Sequence, residues 1–246
     1  MSALFLSVIL LAGALSGATA AVVGFGIGSL MTPLLMTRVE PSLAIALISI
    51  PHLAATTVRF AGLWKTIDRN VLVRFGIPSA LGGIAGGFLS GVVRSDRLVA
   101  VLAMLLVLTG IANLTNGFWR WHPGRLAAGV AGLLSGLFGG LVGNQGGLRA
   151  AGLSAFNLQP RAHLATSTAV ALLIDAGRTP FYIARSGEQL MSHWLPIIVA
   201  TAGCVGGTIA GERIFLRLSK ETYRRVIGCA VLMLGLWLLL RGALAD

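Results

Sequence analysis

The first 37 residues of this chain, Met1 to Thr37, carry no charge, and that run excludes most of what 246 residues could otherwise fold into. Uncharged stretches recur from Phe75 to Val93, Leu98 to Trp119 and Trp194 to Gly211. About 18 apolar residues in a helix are enough to cross a hydrocarbon layer about 30 Å thick. A soluble domain, whose surface must face water, has about a quarter of its residues charged, whereas here the share is 11%. Inside lipid the backbone must satisfy its own polar groups, which leaves helices or a closed barrel. Barrel strands alternate apolar and polar positions over about ten residues, but these runs are continuous. The expectation is an all-α polytopic membrane protein.

The formal charge of +11 raises nucleic acid as a partner, but the basic residues sit in short loops between the apolar spans. There they act as topology determinants and contacts for anionic lipid headgroups. Membrane lipid is therefore an expected partner and nucleic acid is not. The N-terminus lacks the basic segment of a secretory signal and its apolar run is too long for one, so no cleaved leader is expected. Cys204 and Cys229 lie within apolar spans without metal-ligand spacing and read as small buried hydrophobes.

An internal repeat appears at a shift of 119 residues. Ala12-Gly13 returns as Ala131-Gly132, Leu15-Ser16-Gly17 as Leu134-Ser135-Gly136, and Val23-Gly24 as Val142-Gly143. Gly28, Pro41 and Arg59 return on the same ungapped diagonal as Gly147, Pro160 and Arg178. The chain thus divides into residues 1–119 and 120–246. Each half opens with a long apolar stretch broken by glycines, then reaches a proline suited to the first turn of a helix. Three spans follow in each half, near 41–63, 71–93 and 98–118, then near 160–184, 194–215 and 222–240. A helix over the whole first run would be about 55 Å long, too long for one crossing. Each opening stretch is therefore expected to be a hairpin folded at its glycines, either re-entrant or two short crossings.

The basic residues support the hairpin. If it returns to its starting side, one face collects Lys65, Arg69, Arg74, Arg120, Arg125, Arg161, Arg213, Arg217, Lys220, Arg224 and Arg225. The other face holds Arg38, Arg94, Arg97, Arg185 and Arg241. Such an asymmetry marks a cytoplasmic side and puts both termini outside. Each half then crosses an odd number of times, so the halves are inverted relative to each other, as in many secondary transporters.

In that architecture a small anionic solute binds near the midplane, where helices break and expose N–H groups. The first break offers Gly24, Phe25 and Gly26; the second offers Gly143, Asn144, Gln145 and Gly146. Two adjacent amides at a membrane break are costly unless they bind something. Arg59 and Arg178, equivalent in the two halves, are candidates for anion recognition through the planar guanidinium, or for snorkelling to headgroups. Thr166 and Ser167 offer hydroxyls to the same pocket or to the carbonyl one turn back. Asp175 shares a helix face with Arg178, either neutralising it or carrying a proton, and His52 is the second coupling candidate. Gly82, Gly83, Gly86 and Gly87 read as helix-packing positions. No hydrolytic, redox, nucleotide-binding or metal-binding constellation is present in the sequence, so neither an enzyme nor a cofactor is expected.

The stretches Gly24-Phe25-Gly26-Ile27-Gly28-Ser29-Leu30-Met31-Thr32-Pro33-Leu34-Leu35 and Gly136-Leu137-Phe138-Gly139-Gly140-Leu141-Val142-Gly143-Asn144-Gln145-Gly146-Gly147 resemble the glycine-rich hairpins of the sulfite exporter TauE/SafE family. Chain length, the two-copy layout and Ala165-Thr166-Ser167 agree. The resemblance implies export of sulfite, a sulfonate such as sulfoacetate, or another organosulfur anion across a bacterial inner membrane. The second hairpin departs from the pattern: Asn144-Gln145 interrupt a glycine run, and no proline follows at the place of Pro33. A proton- or cation-coupled importer of a similar anion, or a non-transporting membrane scaffold, are the alternatives. The sequence leaves a homodimer open.

Overall fold

A computed structural model gives the fold and describes residues 2–115, 125–144, 146–154, 156, 158–214 and 220–243. The described residues form helices and no strand. In chain order these are α1 (Ala3–Val23), α2 (Ile27–Leu35), α3 (Pro41–Leu63), α4 (Arg69–Leu89), α5 (Ser95–Thr115), α6 (Arg125–Val142), α7 (Gly146–Ser154), α8 (Pro160–Ser192), α9 (Trp194–Ile214) and α10 (Lys220–Ala243). Five of them, α1, α3, α4, α5 and α9, are long and apolar enough to cross a membrane. Large apolar side chains stay exposed around the bundle, among them Leu11, Leu81, Leu108, Ile198 and Leu240. Water penalises such a surface and lipid does not. The chain is an all-α, multi-pass membrane protein.

Each opening stretch is one long helix and one short one. α2 and α7 have nine residues apiece, a rise of about 13 Å, roughly half the depth of a bilayer core. Neither is long enough by itself to cross that core as an α-helix. The turns fall at Gly24 (φ 88°) and Gly143 (φ 75°), equivalent positions on the repeat diagonal, where left-handed backbone favours glycine. Their N–H groups bond the carbonyls of Ala20 (2.9 Å) and Gly139 (3.0 Å), closing α1 and α6. Beyond α2 the guanidinium of Arg38 lies 5.2 Å from the ring centroid of Phe5. The chain has returned to the end from which α1 set out.

The helices pair crosswise. α1 packs along α9, and α6 packs along α4. α3 touches α9 as α8 touches α4, and α2 reaches α10 as α7 reaches α5. α3 lies against α8, and α5 against α10. Shifting both partners by five helices exchanges these contacts among themselves. Glycines make the close approaches: Gly82 and Gly86 on α4 sit against the carbonyls of Leu133 and Leu137 on α6. Gly83 and Gly87, on another face of α4, lie against Ile174 and Arg178 of α8. This is the small-residue packing expected of them. α4 itself contains a π turn over Leu72–Gly76, just before Pro78, which has no N–H to donate one turn back.

The expected spans match the helices within a few residues. α8 is kinked at Ser186, where the backbone is not helical, two residues beyond the expected end at 184, and a short second segment carries it to Ser192. Its charged and hydroxylated residues keep it out of the apolar set, and packing on α3 and α4 buries many of them. Both cysteines are free. Cys204 is buried beside Ser16, whereas Cys229 is exposed on α10, contrary to the expectation that both are buried.

Candidate functional site

The two breaks meet. Gly28, in the first turn of α2, lies against the carbonyl of Gly143, and Gly146, at the start of α7, lies against the side chain of Phe25. A Cβ at either position has no room. Ser29 Oγ donates to Asn144 Oδ1 at 3.2 Å, and Arg149 Nη2 donates to the carbonyl of Gly24 at 2.7 Å. Arg149 Nε donates to Ser167 Oγ at 2.9 Å, which ties α7 to α8. Gly24, Phe25, Gly143, Asn144, Gly146 and Ser167 are therefore gathered at one seam. Gly26 (φ 140°) faces Thr19 within its own hairpin. Thr166 is engaged elsewhere: its Oγ1 accepts from the Asp68 N–H at 3.0 Å and fastens α8 to the α3–α4 connection. Gln145 lies outside the described residues.

The symmetric arginines are buried, not snorkelling, at 6% exposure for Arg59 and 0% for Arg178. Each sends Nη1 to an equivalent carbonyl, Arg59 to Ala20 and Arg178 to Gly139. Those carbonyls already accept from the N–H groups of Gly24 and Gly143. A cation there answers the negative end of a helix dipole as well as an end-of-helix carbonyl. Acids and bases found in only one half then break the symmetry. Asp175 Oδ1 is 2.8 Å from Arg178 Nη2, and Asp175 Oδ2 is 2.6 Å from His52 Nδ1. Thr56 Oγ1 stands 3.3 Å from the same His52 nitrogen. On the repeat diagonal Asp175 answers to Thr56, and His52 to Ala171. The network therefore joins α3 to α8 at a single place.

A family model described as Sulfite exporter TauE/SafE matches residues 9–238. The chain belongs to that family. No curated protein and no solved structure matches it.

Within this TauE/SafE chain, a further residue of the seam, Arg149, escapes the sequence pattern. Its counterpart on the diagonal is Leu30, so no repeat marks it. The signal available was a lone cation in the first turn after the Asn144 break. The side chain is 2% exposed, and Nη1 has no hydrogen-bond partner among the described residues. Asn144, 4% exposed, likewise has an unpartnered Nδ2. Among the described residues, Arg59, Arg149 and Arg178 are the buried arginines and Asp175 is the one buried carboxylate. Arg178 is paired with Asp175, whereas Arg149 forms no ion pair with a carboxylate among the described residues.

A cavity of about 420 Å³ lies at the end of the bundle that holds the α2–α3 and α4–α5 connections. Glu40, Ser90, Arg94, Arg185 and Gln189 line it, and Tyr182 stands among them. The Tyr182 hydroxyl donates to the carbonyl of Gly140, and its ring centroid is 5.9 Å from the Arg178 guanidinium carbon. Tyr182 thus connects the cavity wall with the charged network. Arg185 is held at the rim by Ser90 Oγ (3.2 Å) and the Phe88 carbonyl (3.3 Å).

Proposed function

We propose that this protein is a secondary transporter that exports a small anion: sulfite, a sulfonate such as sulfoacetate, or another organosulfur anion. The observation that carries the reading is the buried Arg149 at the seam of two helix breaks, which forms no ion pair among the described residues. Unbalanced charge in a membrane interior is expensive, and a bound anion removes the imbalance. Gly24, Phe25, Gly26, Gly143, Asn144, Gln145, Gly146, Thr166 and Ser167 form or support the pocket in this reading. Arg59 and Arg178, while capping α1 and α6, supply the positive field that selects for anions.

The halves 1–119 and 120–246 act as inverted repeats in a bacterial inner membrane, with both termini outside. The crosswise helix pairing supports this, since a two-fold axis between the halves would exchange the same contacts. The cavity at Glu40, Arg94 and Arg185 then opens on the face poorer in basic residues and serves as the exit. With the cell interior negative, each negative charge leaving gains about 2.3 kcal/mol per 100 mV, so export needs no coupling ion.

The test is flux from proteoliposomes loaded with sulfite, sulfoacetate, thiosulfate or a carboxylate control under an imposed potential. Selective, potential-dependent efflux of a sulfur oxyanion is expected. Absence of flux from folded protein removes the transport reading and brings the membrane scaffold forward. The buried contact between His52 and Asp175 favours a second reading, proton-coupled uptake. In that case flux appears only under a pH gradient.

A further inference from the structure

Arg149 differs from Arg178 in having no carboxylate partner among the described residues. Arg59 and Arg178 each bond the carbonyl that closes a helix, and Arg178 is also paired with Asp175 at 2.8 Å. The hydrogen-bond partners of Arg149 are neutral: the Ser167 hydroxyl on Nε and the Gly24 carbonyl on Nη2. Both are rigidly placed, one on α8 and the other at the positive-φ turn after α1. They fix the plane of the guanidinium and leave Nη1 over, buried and without an acceptor among the described residues. A buried donor left unmatched is costly, and more so when it carries charge.

Asn144 repeats the pattern with a different group. Its Oδ1 is committed to Ser29 Oγ at 3.2 Å, which turns the NH₂ end away from that hydroxyl, and Nδ2 has no acceptor among the described residues. α7 begins at Gly146, so Arg149 lies in its first turn. Side chains on a helix lean back toward its N-terminus, which carries Arg149 toward the break that holds Asn144. The first N–H groups of α7 point the same way. Both leftover donors belong to the seam where Gly28 meets Gly143 and Phe25 meets Gly146.

We propose that Arg149 Nη1 and Asn144 Nδ2 are the two groups that hold the transported anion. This rests on the anion-transport reading and deepens it. The ligand is a compact oxyanion with at least one negative charge and two free acceptor oxygens, as in sulfite or a sulfonate head group. Arg149 Nη1 meets one of these oxygens and Asn144 Nδ2 the other, and a charge-assisted bond such as the first is the stronger kind. A halide, with no pair of separated acceptor atoms, is a poor match.

The experiment uses the full-length protein in detergent, with sodium sulfite and ethanesulfonate as probes and chloride at equal ionic strength as control. Affinity is read from calorimetry and from the ligand-dependent rise in unfolding temperature, and flux is measured in parallel. Sulfite is expected to bind wild-type protein and to raise its Tm. Arg149→Gln weakens binding by about tenfold or more, the loss expected with a charge-assisted bond. Arg149→Lys, which keeps the charge but loses the fork, recovers part of that loss. Asn144→Asp keeps the acceptor for Ser29 while replacing the free donor with an acceptor, and also weakens binding by about tenfold or more. If Arg149→Gln fails to fold, Asn144→Asp decides. Wild-type affinity in either folded variant overturns the assignment while leaving the transport reading in place. Wild-type protein that neither binds nor moves either probe overturns both.

Discussion

Replacing Asp175 by asparagine isolates the one buried carboxylate among the described residues. The side chain is fully buried and holds two partners, Arg178 at 2.8 Å and His52 at 2.6 Å. Breaking a buried ion pair by removing one charge costs about 3–5 kcal/mol, because the other charge stays behind. Asparagine keeps an acceptor oxygen, and a neutral hydrogen bond recovers about 1 kcal/mol. The net loss is then about 2–4 kcal/mol. At about 2–4 °C per kcal/mol for a chain of this size, the unfolding midpoint falls by about 4–16 °C. Tryptophan-fluorescence melting of purified protein in detergent measures this directly. Combining Asp175→Asn with Arg178→Gln removes both charges, so the double variant is expected to lose less than the sum of the single losses. A shift below about 2 °C for Asp175→Asn, or strict additivity in the double variant, refutes the argument that this pair is held by mutual neutralisation.

Neighbouring glycines on α9 separate packing from propensity. Gly206 has open space where a Cβ would go, whereas a Cβ at Gly207 meets the backbone of Ala14 on α1. Gly206→Ala is expected to be neutral or to stabilise by up to about 1 kcal/mol, and Gly207→Ala to cost about 1–3 kcal/mol. The opposite order in a melting assay rules out the α1–α9 contact. Arg59→Met removes a charged donor from the Ala20 carbonyl and is expected to cost about 1.5–3 kcal/mol, read as a lower melting temperature. An unchanged midpoint shows that α1 does not need this cap. Tyr182→Phe deletes the bond to the Gly140 carbonyl at a cost of about 0.5–1.5 kcal/mol. Full wild-type stability in that variant shows that the hydroxyl contributes nothing to the fold.

The long uncharged runs were enough to determine the helical membrane class, because lipid leaves the backbone no other partner. Gly24 and Gly143 marked the two turns in the sequence, since a left-handed residue at the end of a helix favours glycine wherever it occurs. The spans near 41–63 and 194–215 were legible for the same local reason: apolar length and a proline or tryptophan at the start. The kink of α8 at Ser186 was legible as the end of the span near 184, but the short helical segment after it was not, because Arg185 to Gln189 break the apolar run that marks a span. That segment carries Leu190 into the core. Cys229 lay in an apolar span yet faces outward, since hydropathy cannot tell a lipid-facing side from a core-facing one.

The site divides in the same way. Local sequence singled out Asn144, and the repeat singled out Arg59 and Arg178, as costly groups in an apolar setting. What each of them touches depends on residues far away along the chain. The bond from Arg178 to Gly139 and the contact of Asp175 with His52 span 39 and 123 positions, and only the packing of α8 on α3 and α6 creates them. Arg149 carried no pattern of its own, and its meaning arises from the Gly24 carbonyl 125 positions away. A sequence determines which groups must be compensated once they leave water; the fold decides which partners compensate them, and so which donors remain for a ligand.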